Sequence, residues 1–388
     1  MRYKQISEIA DVQTGPFGSQ LHKEDYVFEG TPIVTVEHLG SRTFTEQNLP
    51  RVSDSDKERL SKYILREGDI VFSRVGSVDR CSYVDKGHDG WMFSGRCLRV
   101  RPHDIVDPLS LYYFFCMERT KDHVRNIAVG ATMPSINTKL LGEIEVALPR
   151  LEAQRKIVAI LSALDDKIEL NQRINNYLQQ QAKTFFEQRF LFDDIEGNEK
   201  ALYDFADYIN GAAFKPSECS DRGLPIIKIA ELKNGITDST KYFDGFKGEK
   251  YLIQNKDILF SWSGNPDTSI DIFIWTHGKA ILNQHTFNVK SNTGHRWFTY
   301  LMLKYFKPEF SRIASNKQTT GLGHVTASDL KRLTFIFNEK KIDEFEHEAS
   351  PFMEMIYSNM LENQKLAQLR DILLPKLMSG EIDVSNVK

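Results

Sequence analysis

The side chains that could do chemistry are few, and they do not gather into a catalytic set. His285 and His324 have no evident nucleophile partner, and a lone histidine is more often structural than catalytic. The four cysteines, Cys81, Cys97, Cys116 and Cys219, form no C-x-x-C pair and read as reduced, buried thiols of a cytosolic protein. No His-Glu-x-x-His segment offers a metal site, and no G-x-x-x-x-G-K-[ST] loop offers a phosphate cradle. Gly264-Asn265-Pro266-Asp267 and Asp107-Pro108-Leu109 come near the Asn/Asp-Pro-Pro-aromatic element of amino-methyltransferases. Both lack the second proline and the aromatic, and no glycine-rich cofactor loop accompanies them, so they read as turns. A long, well-organised chain without chemistry of its own is expected to bind, not to catalyse.

The elements that would position binding residues emerge from a repeat. Asp69-Ile70-Val71-Phe72-Ser73 recurs as Asp257-Ile258-Leu259-Phe260-Ser261, an offset of 188 residues. The same offset carries Asn171 and Asn175 onto Asn359 and Asn363, and Leu164 and Ile168 onto Phe352 and Ile356. One shift that fits both a strand-like and a helix-like segment implies two similar units, each followed by a long helix. In the first, Thr31 to Val36 and Cys97 to Val100 read as further strands, and Leu109 to Arg119 as a buried apolar helix. Leu224 to Ile229, Thr286 to Val289 and Trp297 to Tyr305 answer them in the second.

From Leu151 to Phe190 there is neither Pro nor Gly. A 4-3 spacing runs through Ile157, Leu161, Leu164, Ile168, Asn171, Asn175, Leu178, Ala182 and Phe185, the seam of a coiled coil interrupted by two asparagines. A second arm runs Phe345, Ala349, Phe352, Ile356, Asn359, Asn363, Leu366, Arg370, Leu373 and Leu377, with Gly380 as its stop. Pro351 and Pro375 are expected to kink this arm or trim its ends. Two such arms can pair antiparallel, with Asn171, Asn175, Asn359 and Asn363 fixing the register. Asn171→Leu is therefore expected to stabilise the pairing while loosening its register. The resulting division is 1–150, a globular unit; 151–192, the central helix; 193–338, a second globular unit entered through the polar break Asp193 to Asn198; and 339–388, the distal helix.

Composition sets limits. At 388 residues the chain can hold two or three cores, and its net charge of −3 does not advertise a nucleic-acid partner. Regions differ: 1–150 holds 20 Lys+Arg against 21 Asp+Glu, 198–338 holds 18 against 14, and 339–388 holds 6 against 10. The amino terminus lacks the apolar run of a signal peptide, and no apolar stretch of membrane-spanning length occurs.

Several segments resemble the specificity subunits of Type I restriction-modification systems. They are Leu148 to Ile157 (LPRLEAQRKI), Leu164 to Ile168 with Asn171, Leu366 to Val384 (LAQLRDILLPKLMSGEIDV), Gly15-Pro16-Phe17-Gly18 and Gly68-Asp69-Ile70. The likeness covers essentially the whole chain. One departure is Phe337-Asn338-Glu339-Lys340-Lys341 in place of a proline-led start to the second arm, which implies an irregular first turn. The resemblance implies mixed α/β (α+β) target-recognition domains, two tandem pseudo-repeats, joined by two long antiparallel coiled-coil helices. It implies a non-catalytic, cytoplasmic subunit that recognises double-stranded DNA at a split asymmetric site, the helices acting as a ruler between half-sites. Two modification subunits would be held by the helices and would carry S-adenosylmethionine, and restriction subunits, where present, would join them. This chain itself would bind no cofactor, no metal and no membrane.

Base edges are read by polar side chains on loops. In the first unit the candidates are Ser73, Arg74 and Arg80 after the second strand, Arg96 before the third, and Thr132, Ser135, Asn137 and Lys139 beyond Gly130. In the second unit the corresponding places hold Trp262, Ser263, Asn265, Gln284, His285, Lys317, Gln318, Thr319 and His324. The alternative from another class is a coiled-coil scaffold whose two modules bind proteins, a reading that the near-neutral charge favours.

Overall fold

The computed structural model describes residues 2–16, 20–192, 197–318 and 322–385. Phe17, Gly18, Asp193 to Glu196 and Thr319 to Gly321 lie outside these residues. The chain divides into two compact units, Met1–Asp166 with Leu366–Lys388, and Lys167–Lys365. Each long helix contributes one part to each unit.

In the first unit an antiparallel sheet orders Ala10–Thr14, Cys97–Pro102, Ile70–Ser73 and Cys81–Tyr83. A smaller mixed sheet orders Tyr26–Val27, Arg51–Val52, Thr31–Val34 and Met92–Phe93, the last pair parallel. Arg2–Gln5 pairs with Glu145–Leu148. Helices Pro108–Cys116, Glu118–Ile127 and Thr138–Gly142 complete the unit. Asp107 caps the first of these by accepting from the Ser110 amide, so Asp107-Pro108 is a helix start.

The second unit repeats the design. Its antiparallel sheet orders Ala206–Asn210, Thr286–Ser291, Ile258–Ser261 and Asp271–Ile274, and its mixed sheet orders Tyr242–Phe243, Leu224–Ile227, Ala280–Leu282 and Leu252–Ile253. Asn198–Ala201 pairs with Thr334–Phe337, and the helices are Arg296–Tyr305, Lys307–Asn316 and Ala327–Arg332.

The repeated aspartate has a structural cause. Asp69 accepts from the Arg66 amide (2.8 Å) and Asp257 from the Gln254 amide (3.0 Å), closing the turn that feeds the central strand. Arg101 forks onto the buried Asp69 at 2.7 and 2.6 Å, and Lys290 plays the same part for Asp257. The residue before each aspartate has positive φ: Gly68 at 93° and Lys256 at 71°. Glycine takes that conformation without strain, whereas the lysine is braced by an ion pair to Glu354 at 2.7 Å.

The central helix runs Leu151–Glu187 and then widens into a π-turn over Gln188–Phe192. The distal helix runs Glu339–Ser379. It passes through both Pro351 and Pro375, so neither proline trims it. Its first turn is regular: Asn338 accepts from the Lys340 amide through its side chain and from the Ile342 amide through its carbonyl. Gly380, with φ +77°, ends it. The seam also differs in places. Met353 is fully buried where Phe352 was expected, and Phe352 is 39% exposed. Beside the half-buried Phe185, Phe186 and Phe190 are buried as well. The pairing follows whichever neighbour of each spacing points at the partner helix, and an aromatic or thioether at the adjacent position serves equally.

Within the second unit the two helices run antiparallel, locked by amides. Asn171, fully buried, donates to Asn363 Oδ1 (2.8 Å) and Glu362 (2.7 Å) and accepts from Lys167 (3.0 Å). Asn175 accepts from Asn359 (2.9 Å) and donates to the Ile356 carbonyl (3.3 Å). Around them Leu178, Ala182, Phe186 and Phe190 share one core with Phe345, Ala349, Met353 and Ile356. Within the first unit the pairing is also antiparallel. Its buried polar contact is ionic: Asp165 accepts from Arg370 (2.8 Å) and Tyr113 (2.7 Å), above a core of Ile157, Leu161, Leu374, Leu377 and Met378.

These partners reverse the expectation for Asn171→Leu. The single change leaves Asn363 Oδ1 without a partner, while Lys167 keeps its ion pair to Glu362 (3.3 Å); the loss costs about 1–2 kcal/mol of stability, whereas N171L/N363L removes both ends and recovers most of it. Urea unfolding of both variants checks this. A single leucine variant as stable as the parent would contradict it.

Candidate functional site

The same three loops meet at one end of the central sheet in each unit, held by equivalent backbone hydrogen bonds. In the first unit the Arg74 amide donates to the Arg96 carbonyl (2.8 Å), and the Arg74 carbonyl accepts from the Ile136 amide (2.9 Å). Gly76 donates to the Pro134 carbonyl (2.8 Å), and Val75 bridges to Ser135. In the second unit the Trp262 amide donates to the His285 carbonyl (3.4 Å), and the Trp262 carbonyl accepts from the Val325 amide (2.8 Å). Ser263–Gly264 pairs with Gly323–His324, at the positions answering Val75 and Ser135. Segments far apart in sequence are thereby fixed on a rigid sheet, the arrangement that suits a binding surface.

A fourth segment joins each cluster. Gly15 donates to the Cys97 carbonyl (3.2 Å) and Gly211 to the Thr286 carbonyl (3.1 Å). A Cβ on Gly15 would fall 2.1 Å from the Ser94 carbonyl oxygen, and one on Gly211 2.2 Å from that of Asn283. Both glycines are required by close backbone approach. The sequence reading noted Gly15 but missed Gly211-Ala212-Ala213-Phe214, because this pair is offset by 196 residues, not 188. A glycine two or three residues ahead of a phenylalanine after a strand was the available signal. Lys247 closes this segment by donating to the Ala213 carbonyl (2.8 Å) while pairing with Glu218 (2.7 Å) and lying over Phe214.

The proposed side chains divide by position. In the first unit Arg74, Arg96 and Ser135 come together. Arg96 is exposed, while Arg74 reaches the Gly95 carbonyl at 3.2 Å. Thr132 is exposed on the 129–135 turn. Ser73 is buried at the end of its strand and donates to the Val75 carbonyl (2.8 Å), so it shapes the turn and presents nothing to solvent. Arg80 is exposed, but its stem lies beside Gly40 of the neighbouring loop. Asn137 caps the short helix by accepting from the Leu140 amide (2.9 Å), and exposed Lys139 follows it.

In the second unit Trp262, Ser263, His285 and His324 come together, with Gln284 alongside; Gln284, His285 and His324 are exposed. The Trp262 ring stacks on Phe287 with centroids 5.6 Å apart, and its indole N–H donates to Asn210 (3.2 Å). It is half-buried, a floor for the cluster. Asn265 accepts from the Asp267 (3.0 Å) and Thr268 (3.1 Å) amides, which makes Gly264-Asn265-Pro266-Asp267 the turn its sequence suggests. Gln318 is exposed, and Thr319 lies outside the described residues.

Lys317 is the clearest correction. Its ammonium is 2.6 Å from buried Asp329, which also accepts from the Thr326 amide (2.7 Å) and hydroxyl. Burial alone would raise the Asp329 carboxyl, but the bonds from Lys317 and Thr326 outweigh it and hold its pKa below the ordinary aspartate value. Sequence cannot reveal this, because the pair spans a helix end and a later cap.

Among the described residues no group of His, Cys, Asp or Glu could hold a metal ion, and no helix is long and apolar enough to cross a membrane.

Two outcomes follow from this geometry. Asp329 titrates lower folded than unfolded, so its pairing contributes stability at neutral pH that is lost as pH falls below about 4. Asp329→Asn should lower the melting temperature at neutral pH and flatten its decline between about pH 5 and pH 3; an unchanged slope would refute the pairing. Gly211→Ala must displace backbone and should destabilise by about 2 kcal/mol or more, read in the same melts.

Comparison with known proteins agrees with this architecture. The model of the Type I restriction modification DNA specificity domain matches residues 1–180 and again 195–370. The chain is 24% identical to the Type I restriction enzyme MjaIX specificity subunit of Methanocaldococcus jannaschii, over 99% of this chain and 94% of that protein. It is 23% identical to the HindI specificity subunit of Haemophilus influenzae, over 83% of this chain and 88% of that protein. The crystal structure of the S subunit from M. genitalium has the same fold, with a TM-score of 0.57, 15% identity, and coverage of 97% of this chain and 95% of that one. With two matches that together span most of its length, the chain belongs to the Type I restriction modification DNA specificity domain family.

Proposed function

We propose that this chain is the DNA-specificity subunit of a Type I restriction-modification complex. Each unit reads one half of a split asymmetric site in double-stranded DNA through its loop cluster. The observation that supports this most is the repetition of one loop framework with different side chains: Arg74, Arg96 and Ser135 in one unit, Trp262, His285 and His324 in the other. A common scaffold carrying different polar tips suits two modules that read different base sequences.

The long helices are the surfaces for two modification subunits, which bring S-adenosylmethionine and methylate adenine; restriction subunits, where present, join that assembly. The chain itself does no chemistry and works in the cytoplasm. Arg96, Gln284, His285 and His324 are the best candidates for base contact, being exposed and on the clusters. Arg80, Thr132, Asn137 and Lys139 are placed for contacts at the margin.

Co-expression with modification subunits, followed by single-molecule sequencing of methyladenine in host DNA, tests the assignment. A single split motif methylated on both strands is expected. Arg96→Ala should relax one half-site and His285→Ala the other, by the ~1–3 kcal/mol that a base contact is worth. A stable complex with no motif, or one variant altering both halves, would overturn the reading. Binding should also weaken log-linearly with salt, which an apolar protein–protein interface would not.

A further inference from the structure

In each unit a cation beside the central sheet grips a carboxylate on a long helix. Asp166 of the central helix pairs with Arg42 at 2.5 Å, and Glu354 of the distal helix pairs with Lys256 at 2.7 Å. The two acids stand 188 residues apart, the offset that relates the units. The two cations do not. Lys256 answers Gly68, which has no side chain to offer, and the first unit takes its cation from a different loop. That loop is tied to the strand Cys81–Tyr83, because the Arg42 carbonyl accepts from the Tyr83 amide (2.7 Å) and the Ser41 carbonyl from the Ser82 hydroxyl (2.7 Å). The backbone beneath is the same in both. The Gly68 amide donates to the Val84 carbonyl and the Lys256 amide to the Trp275 carbonyl, each at 2.9 Å.

In the second unit the grip is wider. The Lys256 ammonium also lies 5.0 Å from the centre of the Tyr357 ring. The neighbouring turn adds a second hold: the Gln364 amide nitrogen donates to the Thr276 hydroxyl and lies 3.2 Å from His277 Nε2. Asn255 joins the two turns by accepting from the Gly278 amide (2.6 Å). Glu354, Tyr357 and Gln364 recur at helical spacing on one face, a span of roughly 15 Å along the distal helix.

Stability does not explain these contacts. Asp166 is 63% exposed and Glu354 46%, and ion pairs so open to water contribute little. Lys256 holds φ at +71°, a conformation that glycine takes freely and a side chain resists. Gly68 shows that the turn forms without a side chain there. The lysine therefore adds backbone strain and supplies one thing that glycine cannot, a reach to the helix.

We propose that Asp166 and Glu354 are positioning residues, repeat-related docking points that hold each recognition sheet in one orientation on its long helix. The loop cluster at the end of each sheet is thereby offered to its half-site in one direction, and the tolerated gap between half-sites is set by these grips as well as by helix length. The consequence for DNA rests on the specificity reading given above; the grip itself does not.

The test compares the full chain with Lys256→Gly, Lys256→Arg, Glu354→Ala and Asp166→Asn, alone and with modification subunits. Lys256→Gly keeps the turn, as Gly68 does, so its fold is preserved. In the chain alone, hydrogen exchange of residues 275–278 and 354–364 should quicken about two- to fivefold in Lys256→Gly and Glu354→Ala, the factor that an exposed ion pair is worth. Unchanged protection in both would overturn the grip. In the complex, methylation of sites with a gap one base pair longer or shorter should rise by a similar factor, relative to the native gap, in Lys256→Gly and Asp166→Asn. The recognised bases should stay the same, and Lys256→Arg should restore the parent's preference. Native methylation with an unchanged gap preference in both variants would overturn the positioning role. A parent complex that methylates no split motif would instead refute the specificity reading, and hydrogen exchange would then decide the grip by itself.

Discussion

Buried amides set the register of the paired helices, and the cores depend on that register. A helix seam of leucine, alanine and phenylalanine could slide by a heptad with modest loss, because apolar contacts are non-directional. Asn171 cannot slide. Both of its amide hydrogens and its oxygen are engaged, and a shifted pairing would bury them without partners at a cost of about 1–3 kcal/mol. With Asn171 opposite Asn363 and Asn175 opposite Asn359, Phe186 and Phe190 fall among Phe298, Phe335 and Phe345, and the globular part of the second unit closes on them. In the first unit, Asp165 with Arg370 and Tyr113 answers the same need by charge and a phenol.

On this base the two units present loops that are held rigidly at their roots. The roots use backbone hydrogen bonds, a glycine that nothing else could replace, and an aspartate closing the turn into the central strand. Much of the charge near the clusters is used internally. Lys317 holds Asp329 and Lys247 holds Glu218, while Arg101 holds Asp69 at the far end of the central strand. Net charge therefore says little about partners here, because only the ions left exposed can meet a phosphate or a base.

The units keep one topology and change its chemistry. Arg74 and Trp262 occupy the same node of the hydrogen-bond framework, one a cation and the other an aromatic floor stacked on Phe287. Gly68 and Lys256 occupy the same positive-φ turn, one free of strain and the other braced by Glu354. A repeat that preserves backbone bonds while exchanging side chains is what divergence of two modules under different demands produces.

Periodicity and repetition determined the helices, the central strands, the two-unit plan and the buried asparagines. Each of these is a local preference, written within a few turns or a few residues. Only tertiary structure decided which groups meet. It chose Met353 over Phe352 for the seam, ran the distal helix through Pro351 and Pro375, buried Ser73, and gave Lys317 to Asp329. It also aligned Gly211 with Gly15, which a fixed offset concealed because chain length between repeated elements is free to vary. The physical reason is common to all of them. A pattern along one segment reports which face is apolar, but a contact is a property of two segments, and its geometry exists only once both are placed.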